Sequence, residues 1–332
     1  MNRVCFVRAF DFIDFYKQVL NRYRLAPEQL SIPPQVFKDS MSLVPLNELS
    51  KLYEELDALV PDHDFVINTM ADLPINRLGS LGRWVLSATD FAMCLRRLSN
   101  GMPCTNSGAN LSTAIVGNIV KWTYTTTSLS NIAQIHDSIR HGLFLLKIMQ
   151  YYLGEDYKPH RVFLCGYRDN SAVYEDIFGC DVTWGSAQSE IWFPSHYRFL
   201  PFQTQSRLSS NLAMTYSDLD NLLDMPNPDD SIKTISELIK YSRHYGFPTI
   251  SRVSTLAGCS IQQLQRELTK RDLSYRVLSG HVLSHFAIEQ MLLGHPPKFV
   301  AESIGYDNVA SFNRMFKNQR GLTPKQFLGQ IE

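Results

Sequence analysis

Residues Ser303–Pro324 read SIGYDNVASFNRMFKNQRGLTP. The stretch reads as the end of one helix, a turn at Gly305, and a second helix carrying Arg314 and Lys317. Val300, Ala301 and Ile304 fall on one face of the first helix, and Phe312 and Phe316 on one face of the second. Pro297 suits a first helical position, and Asp307 or Asn308 can cap the second helix. Ser311, Arg314 and Lys317 are left facing outward.

Upstream lies a copy of this pattern. Val253 and Gly258 match Val300 and Gly305 at an offset of 47, and Leu264, Arg266 and Leu268 match Phe312, Arg314 and Phe316 at 48. Thr249 can cap a short helix over 250–257, and Gly258 makes the turn. Ser260 caps the next helix, with Gln263 completing a capping box. Ile261, Leu264 and Leu268 are assigned inward, leaving Gln262, Gln265 and Arg266 outward. Between the copies, Ser274–Leu292 holds no proline, and as one helix its 19 residues span about 28 Å. That roughly suits two insertions into successive major grooves, about 34 Å apart. Arg can bond guanine O6/N7 bidentately, Gln can do the same with adenine, and Ser and Lys suit phosphate. On the connector, Val277, Leu278, Val282, Ile288 and Leu292 form an apolar stripe that encloses His281 and His285. No third ligand is evident near that pair, so it reads as half-buried structure and not a metal site.

Charge segregates along the chain. From Ser231 onward there are 13 Lys and Arg against 7 Asp and Glu, a net +6, and the first 230 residues carry −6. The neutral total thus combines a basic tail with an acidic body, and a basic domain suits a polyanion. The join falls at DMPNPDDS, 224–231, a polar turn-forming linker after which Ser231 can cap a helix ending near Gly246. With 332 residues, 44% hydrophobic and 19% charged, two domains with real cores are expected. No apolar run approaches the roughly 18 residues a membrane span needs, and the N-terminus lacks a signal-peptide pattern, so a cytoplasmic protein is expected.

The body reads as α+β. Helices are predicted near 9–24, 46–60, 89–99 and 130–153, with a short one over 171–179. Strands are predicted in STAIVGNIVKWTYTTT, HRVFLCGY and SEIWFP. Trp122, Tyr124, Tyr167 and Trp184 could line a pocket, but aromatics on strands more often fill the core, so no ligand residue is named. The six cysteines make no C-x-x-C pair. No phosphate loop, nucleophile elbow, H-E-x-x-H or dinucleotide turn is present, and His136 and His141 do not share a helical face. An enzyme is not expected, nor any cofactor or metal.

On these residues the tail resembles the AraC/XylS family of bacterial transcription regulators. LQREL and AESIGYDNVASFNRMFKNQRGLTPKQF carry the likeness, above all Ile304-Gly305-Tyr306, Phe312, Arg314, Phe316-Lys317, Gly321 and Thr323-Pro324. It departs from the pattern at Leu283, where members usually carry Arg, at Asp272, where Gly is usual, and at Ala310, often polar. The body, through YEDIFGCDVTWGSAQSEIWFP, resembles the arabinose-binding-like domain of ornithine- and arginine-responsive members. The resemblance implies an α+β effector-sensing and dimerisation domain over 1–223, a linker over 224–231, and an all-α domain over 232–332 with two helix-turn-helix units on a long helix. By motif position it assigns base reading to Gln262, Gln265, Arg266, Ser311 and Arg314. Ser260, Lys270, Asn308 and Lys317 are assigned to phosphate. The implied partners are promoter DNA, a small-molecule effector, RNA polymerase and a second copy in a homodimer. The family type suggests an activator, although the residues themselves leave the direction of control open. The competing reading is a protein-interaction module whose basic tail binds an acidic partner.

Overall fold

The computed structural model describes residues 3–74, 79–200 and 214–330. The chain divides into two compact units, one over Cys5–Met225 and one built mainly from Pro226–Glu332.

The first unit is mixed α and β. Strands β1 (Phe6–Arg8) and β2 (Leu43–Pro45) pair antiparallel and flank helix α1 (Ile13–Tyr23). Helices α2 (Leu46–Leu59), α3 (Phe65–Ala71), α4 (Gly79–Leu86) and α5 (Phe91–Thr105) follow. Then come strands β3 (Ala109–Val116) and β4 (Ile119–Thr126), and helix α6 (Asn131–Leu153). Strand β5 (Arg161–Phe163), helix α7 (Ser171–Phe178), strands β6 (Val182–Thr183) and β7 (Ser189–Pro194), and helix α8 (Tyr216–Leu223) complete the unit. The five-stranded sheet runs β3-β4-β7-β5-β6, antiparallel except for the β5–β6 pair.

The alternation in β4 buries Val120, Trp122 and Tyr124 on one face, with α6 packed beside them. Trp122 and Tyr124 are therefore core, whereas Tyr167 is exposed. The helix expected from residue 9 begins at Ile13, because a 3₁₀ turn over Ala9–Asp11 ends at Phe12, whose φ of −142° is not helical. The helix expected to stop near 99 runs on to Thr105 with Pro103 inside it. Burial of Leu98 and Met102 carries it through, and Gly101 permits the close approach: a Cβ there would lie 2.5 Å from Leu81.

The second unit is helical: α9 (Ser231–Ser242), α10 (Ile250–Leu256), α11 (Ile261–Thr269), α12 (Tyr275–Leu292), α13 (Pro297–Ile304), α14 (Val309–Arg320) and α15 (Pro324–Leu328). Asp230, not Ser231, caps α9, accepting from the Lys233 amide. Ser231 is instead the first helical residue and donates to Glu267. Ile235, Leu238 and Ile239 of α9 pack with Val253, Leu264 and Leu268 in a core that α12 continues through Leu278, Val282, Leu283, Phe286 and Met291. Val300, Ile304, Phe312 and Phe316 fill the far end. Gly305 is demanded twice. Its φ is +87°, and a Cβ would meet the Phe247 backbone nitrogen at 2.2 Å. The turn of the second helix pair thus lies against the loop before the first.

Two expectations fail here. Ile261 is 39% exposed, not inward, because it opens the first turn of α11 ahead of the Leu264–Leu268 seam. On α12 the buried face is rotated: His281 and His285 are exposed, as are Val277 and Leu292. Ser279, Gly280 and Ser284 are buried in their place. The serines tolerate burial because each hydroxyl donates to a carbonyl three residues back, Ser279 to Arg276 and Ser284 to His281.

Candidate nucleic-acid interface

The first helix pair, α10 and α11, is held by local caps. Thr249 Oγ1 accepts from the Arg252 amide. Ser260 Oγ accepts from the Gln263 amide at 3.2 Å while Gln263 Oε1 accepts from the Ser260 amide at 2.8 Å. With Leu264 and Leu268 fully buried, the opposite face of α11 presents Gln262, Gln265 and Arg266 to solvent. These three side chains make no hydrogen bond or ion pair among the described residues.

Other assigned residues are already engaged. The Ser260 hydroxyl oxygen serves the cap. Lys270, 70% exposed, pairs with Glu267 at 3.2 Å. Glu267 also accepts from Arg271 and from Ser231. Hydrogen bonds from Arg271, Ser231 and Lys270 hold its carboxyl down to about 2. Glu267 therefore ties α11 to the start of α9 and offsets part of the positive charge of Lys270.

The second pair, α13 and α14, is built likewise. Asn308 Oδ1 accepts from the Ser311 amide at 2.8 Å, and Gly305 adopts the left-handed cap of α13. Arg314 and Lys317 are exposed, while Ser311 is only half-exposed and its hydroxyl accepts from Arg314 Nη2 at 3.2 Å. A groove of about 490 Å³ opens between α12 and α14. It brings Ser311 and Arg314 together with three residues that sequence reading did not single out: Arg276, Asn318 and Gln319. The available signal was weak, since only the +6 excess pointed to Arg276 and nothing in the spacing marked the two amides.

Asp272, where the resemblance expects glycine, has φ +55°. It thus takes the left-handed conformation that glycine adopts freely, and α11 ends at the same kind of turn.

The body gathers its charges differently. Asp137 on α6 accepts from Tyr124 Oη at 2.8 Å and from Arg140 Nη2 at 3.2 Å. Arg140 also donates to Tyr53 Oη at 2.8 Å and to the Asp11 carbonyl at 3.1 Å. The His141 ring stacks on Tyr124 at 3.8 Å. Burial works to raise the Asp137 pKa, but His141 and Arg140 outweigh it and hold the carboxyl well below the usual range. Burial pushes Asp11 up to about 6. His136 is separate: its Nε2 lies 2.7 Å from Asp57, and burial, with Arg168 nearby, pushes it down to about 4. The two histidines are not brought together. A cavity of about 60 Å³ beside this network is lined in part by Asp11, Phe15, Arg140, Phe144 and Lys147. Among the described residues no cluster of three His, Cys, Asp or Glu could hold a metal, and no helix is long and apolar enough to cross a membrane.

An α+β body thus precedes a basic helical unit. The family described as the arabinose-binding domain of AraC transcription regulators, N-terminal, matches residues 24–202. The match covers more than half of the chain, and the chain belongs to that family of regulators. It lies within the body and does not reach the helical unit. One similar solved structure is the crystal structure of transcriptional regulator CdpR from Pseudomonas aeruginosa. It has 15% identity over 96% of this chain and 98% of that one, with a TM-score of 0.49. No curated protein matches this chain.

Proposed function

We propose that this regulator binds promoter DNA sequence-specifically through its helical unit, α10–α11 and α13–α14 acting as two helix-turn-helix readers of successive major grooves. The observation that carries the reading is the outward polar face of α11. Gln262, Gln265 and Arg266 stand in solvent with no partner among the described residues, on a helix whose other face is sealed by leucines. Arg314 and Ser311 occupy the equivalent face of α14, and the 18 residues of α12 rise about 27 Å between the pairs. Lys317 is the best-placed phosphate contact, being exposed and unpaired among the described residues. Ser260, Asn308 and Lys270 contribute less, since each already serves a cap or an ion pair.

The regulator acts in the cytoplasm as a homodimer with RNA polymerase as its downstream partner. A small-molecule effector is assigned to the body as a whole, since the cavity beside Asp11, Arg140 and Lys147, at about 60 Å³, is too small to hold one. Footprinting of the cognate promoter tests the DNA reading. Affinity is expected to fall steeply between roughly 50 and 200 mM salt through counterion release. Arg266→Ala and Arg314→Ala should each weaken the cognate site by about 1–3 kcal/mol. Footprints from both variants that match wild type would overturn the assignment. A tail that binds only an acidic protein would protect no DNA at any salt.

A further inference from the structure

The five-stranded sheet has two unlike edges. At one end β6 is two residues long and is preceded by the exposed Asp181, which pairs with Arg161. That edge is blunted in the usual way, by shortness and charge. At the other end β3 is eight residues long, Ala-Asn-Leu-Ser-Thr-Ala-Ile-Val, with neither a charge nor a proline. From Ser112 to Val116 every residue is exposed, Ile115 at 55% and Val116 at 56%. The β1 bridge between Val7 and Asn106 flanks only the approach to this strand. Beyond it nothing among the described residues pairs with the outer side of β3.

The register decides which backbone groups face outward. Val116 pairs with Ile119 across a two-residue turn, and the Thr127 amide donates to the Gly108 carbonyl. Both facts assign the even-numbered residues of β3 to hydrogen bonding with β4. The amides and carbonyls of Leu111, Thr113 and Ile115 therefore point outward, toward no strand.

We propose that a second copy of the chain pairs antiparallel with β3 through its own β3, making one continuous ten-stranded sheet across a two-fold axis at Thr113. Two observations favour this occupant. An uncharged strand meets its own copy without like-charge repulsion. The outward groups also match themselves: with Thr113 opposite Thr113, Leu111 lies opposite Ile115 twice. The three pairs exchange about six backbone hydrogen bonds, and each exposed Ile115 gains an apolar neighbour. Centring the pairing earlier would run the partner into β1, and centring it later would leave Leu111 unpaired. Pairing of this extent suits a concentration-dependent dimer. The inference rests on the homodimer reading above and gives that dimer its surface.

Sedimentation of the full chain at micromolar concentration, with three proteins side by side, tests it. Wild type should sediment as a dimer. Thr113→Lys, which faces its own copy at the axis, should raise the dimer dissociation constant at least about tenfold and leave the circular dichroism spectrum unchanged. Thr113→Cys should form a reducible cross-linked dimer under mild oxidation that wild type, with its native cysteines, does not form. Ala114→Cys, two positions out of register with its own copy, should cross-link far less. A wild-type monomer would sink both this surface and the homodimer. A wild-type dimer with Thr113→Lys equally dimeric, or with Thr113→Cys uncross-linked, would sink the surface alone.

Discussion

The body and the helical tail use their polar and charged side chains in opposite ways. In the body, Asp137, Arg140 and His141 turn inward and satisfy one another with Tyr124 and Tyr53. In the tail, Gln262, Gln265, Arg266 and Lys317 turn outward and, among the described residues, satisfy nothing internal. The first arrangement fixes α6 against the sheet and against α2. The second leaves hydrogen-bonding capacity unused within the described chain, which the proposed DNA reading would use. A partnered buried charge stabilises a fold, whereas an unpartnered exposed one is free to recognise.

The largest expected effect breaks the inward side. Asp137→Ala leaves Arg140 buried without its carboxylate, which should destabilise the body by about 3–5 kcal/mol. All four tryptophans lie in the body, so a urea titration followed by tryptophan fluorescence reads this unit alone. A shift of under about 1 kcal/mol would mean that the network is incidental. The second effect belongs to the outward side. Arg266→Ala should leave stability within about 0.5 kcal/mol of wild type, as surface substitutions do, while weakening DNA binding by about 1–3 kcal/mol. If both variants lowered stability and binding together, the contrast between the regions would collapse.

Much of this contrast was legible in the sequence, and the exceptions share a cause. The leucine spacing of α2 and the β-branched run of β3 and β4 announce themselves, because burial there follows hydropathy. The caps at Thr249, Ser260 and Asn308 were legible, since their side chains need only local partners. Helices α3 and α8 are too short, at seven and eight residues, for periodicity to show. The orientation of α12 was misread because its buried face is built partly of serine and glycine, which hydropathy assigns to solvent. Ser284 stays buried by donating to His281 and accepting from Arg320 at 3.0 Å, a partner 36 positions away. The groove residues Arg276, Asn318 and Gln319 were hidden for the same reason: two helices meet there through a tertiary approach that no local pattern encodes.

A smaller effect tests how closely α11 is ended by its sequence. Asp272 holds φ +55° without being glycine, a conformation that costs an L-residue roughly 1 kcal/mol. Asp272→Gly should relieve that cost, less the added freedom of the unfolded chain, for a net gain of about 0.5 kcal/mol. Hydrogen exchange of the tail amides measures it. Slower exchange in α11 and α12 is the expected result, and faster exchange would mean that the Asp272 side chain contributes more than its backbone loses.

The smallest effect concerns Glu267, a carboxylate of the tail that is partnered internally, as those of the body are. Its hydrogen bonds to Arg271, Ser231 and Lys270 hold its pKa near 2, against an ordinary value of 4.5. A carboxyl lowered on folding binds fewer protons in the native state. Its contribution is present above pH 4.5 and is lost as pH falls toward 2. Glu267 itself is 16% exposed, but its partners Lys270 and Arg271 stand in solvent, so screening reduces the contribution to about 0.5 kcal/mol, the scale of exposed pairs. Glu267→Gln should therefore lower tail stability slightly at neutral pH and flatten the acid limb between pH 4.5 and 2 in a circular dichroism titration. The same substitution frees Lys270 and Arg271 from their carboxylate, which should raise DNA affinity a little and steepen its salt dependence. If the acid limb flattens and affinity does not rise, Lys270 lies off the DNA path and Lys317 carries the phosphate contacts without it.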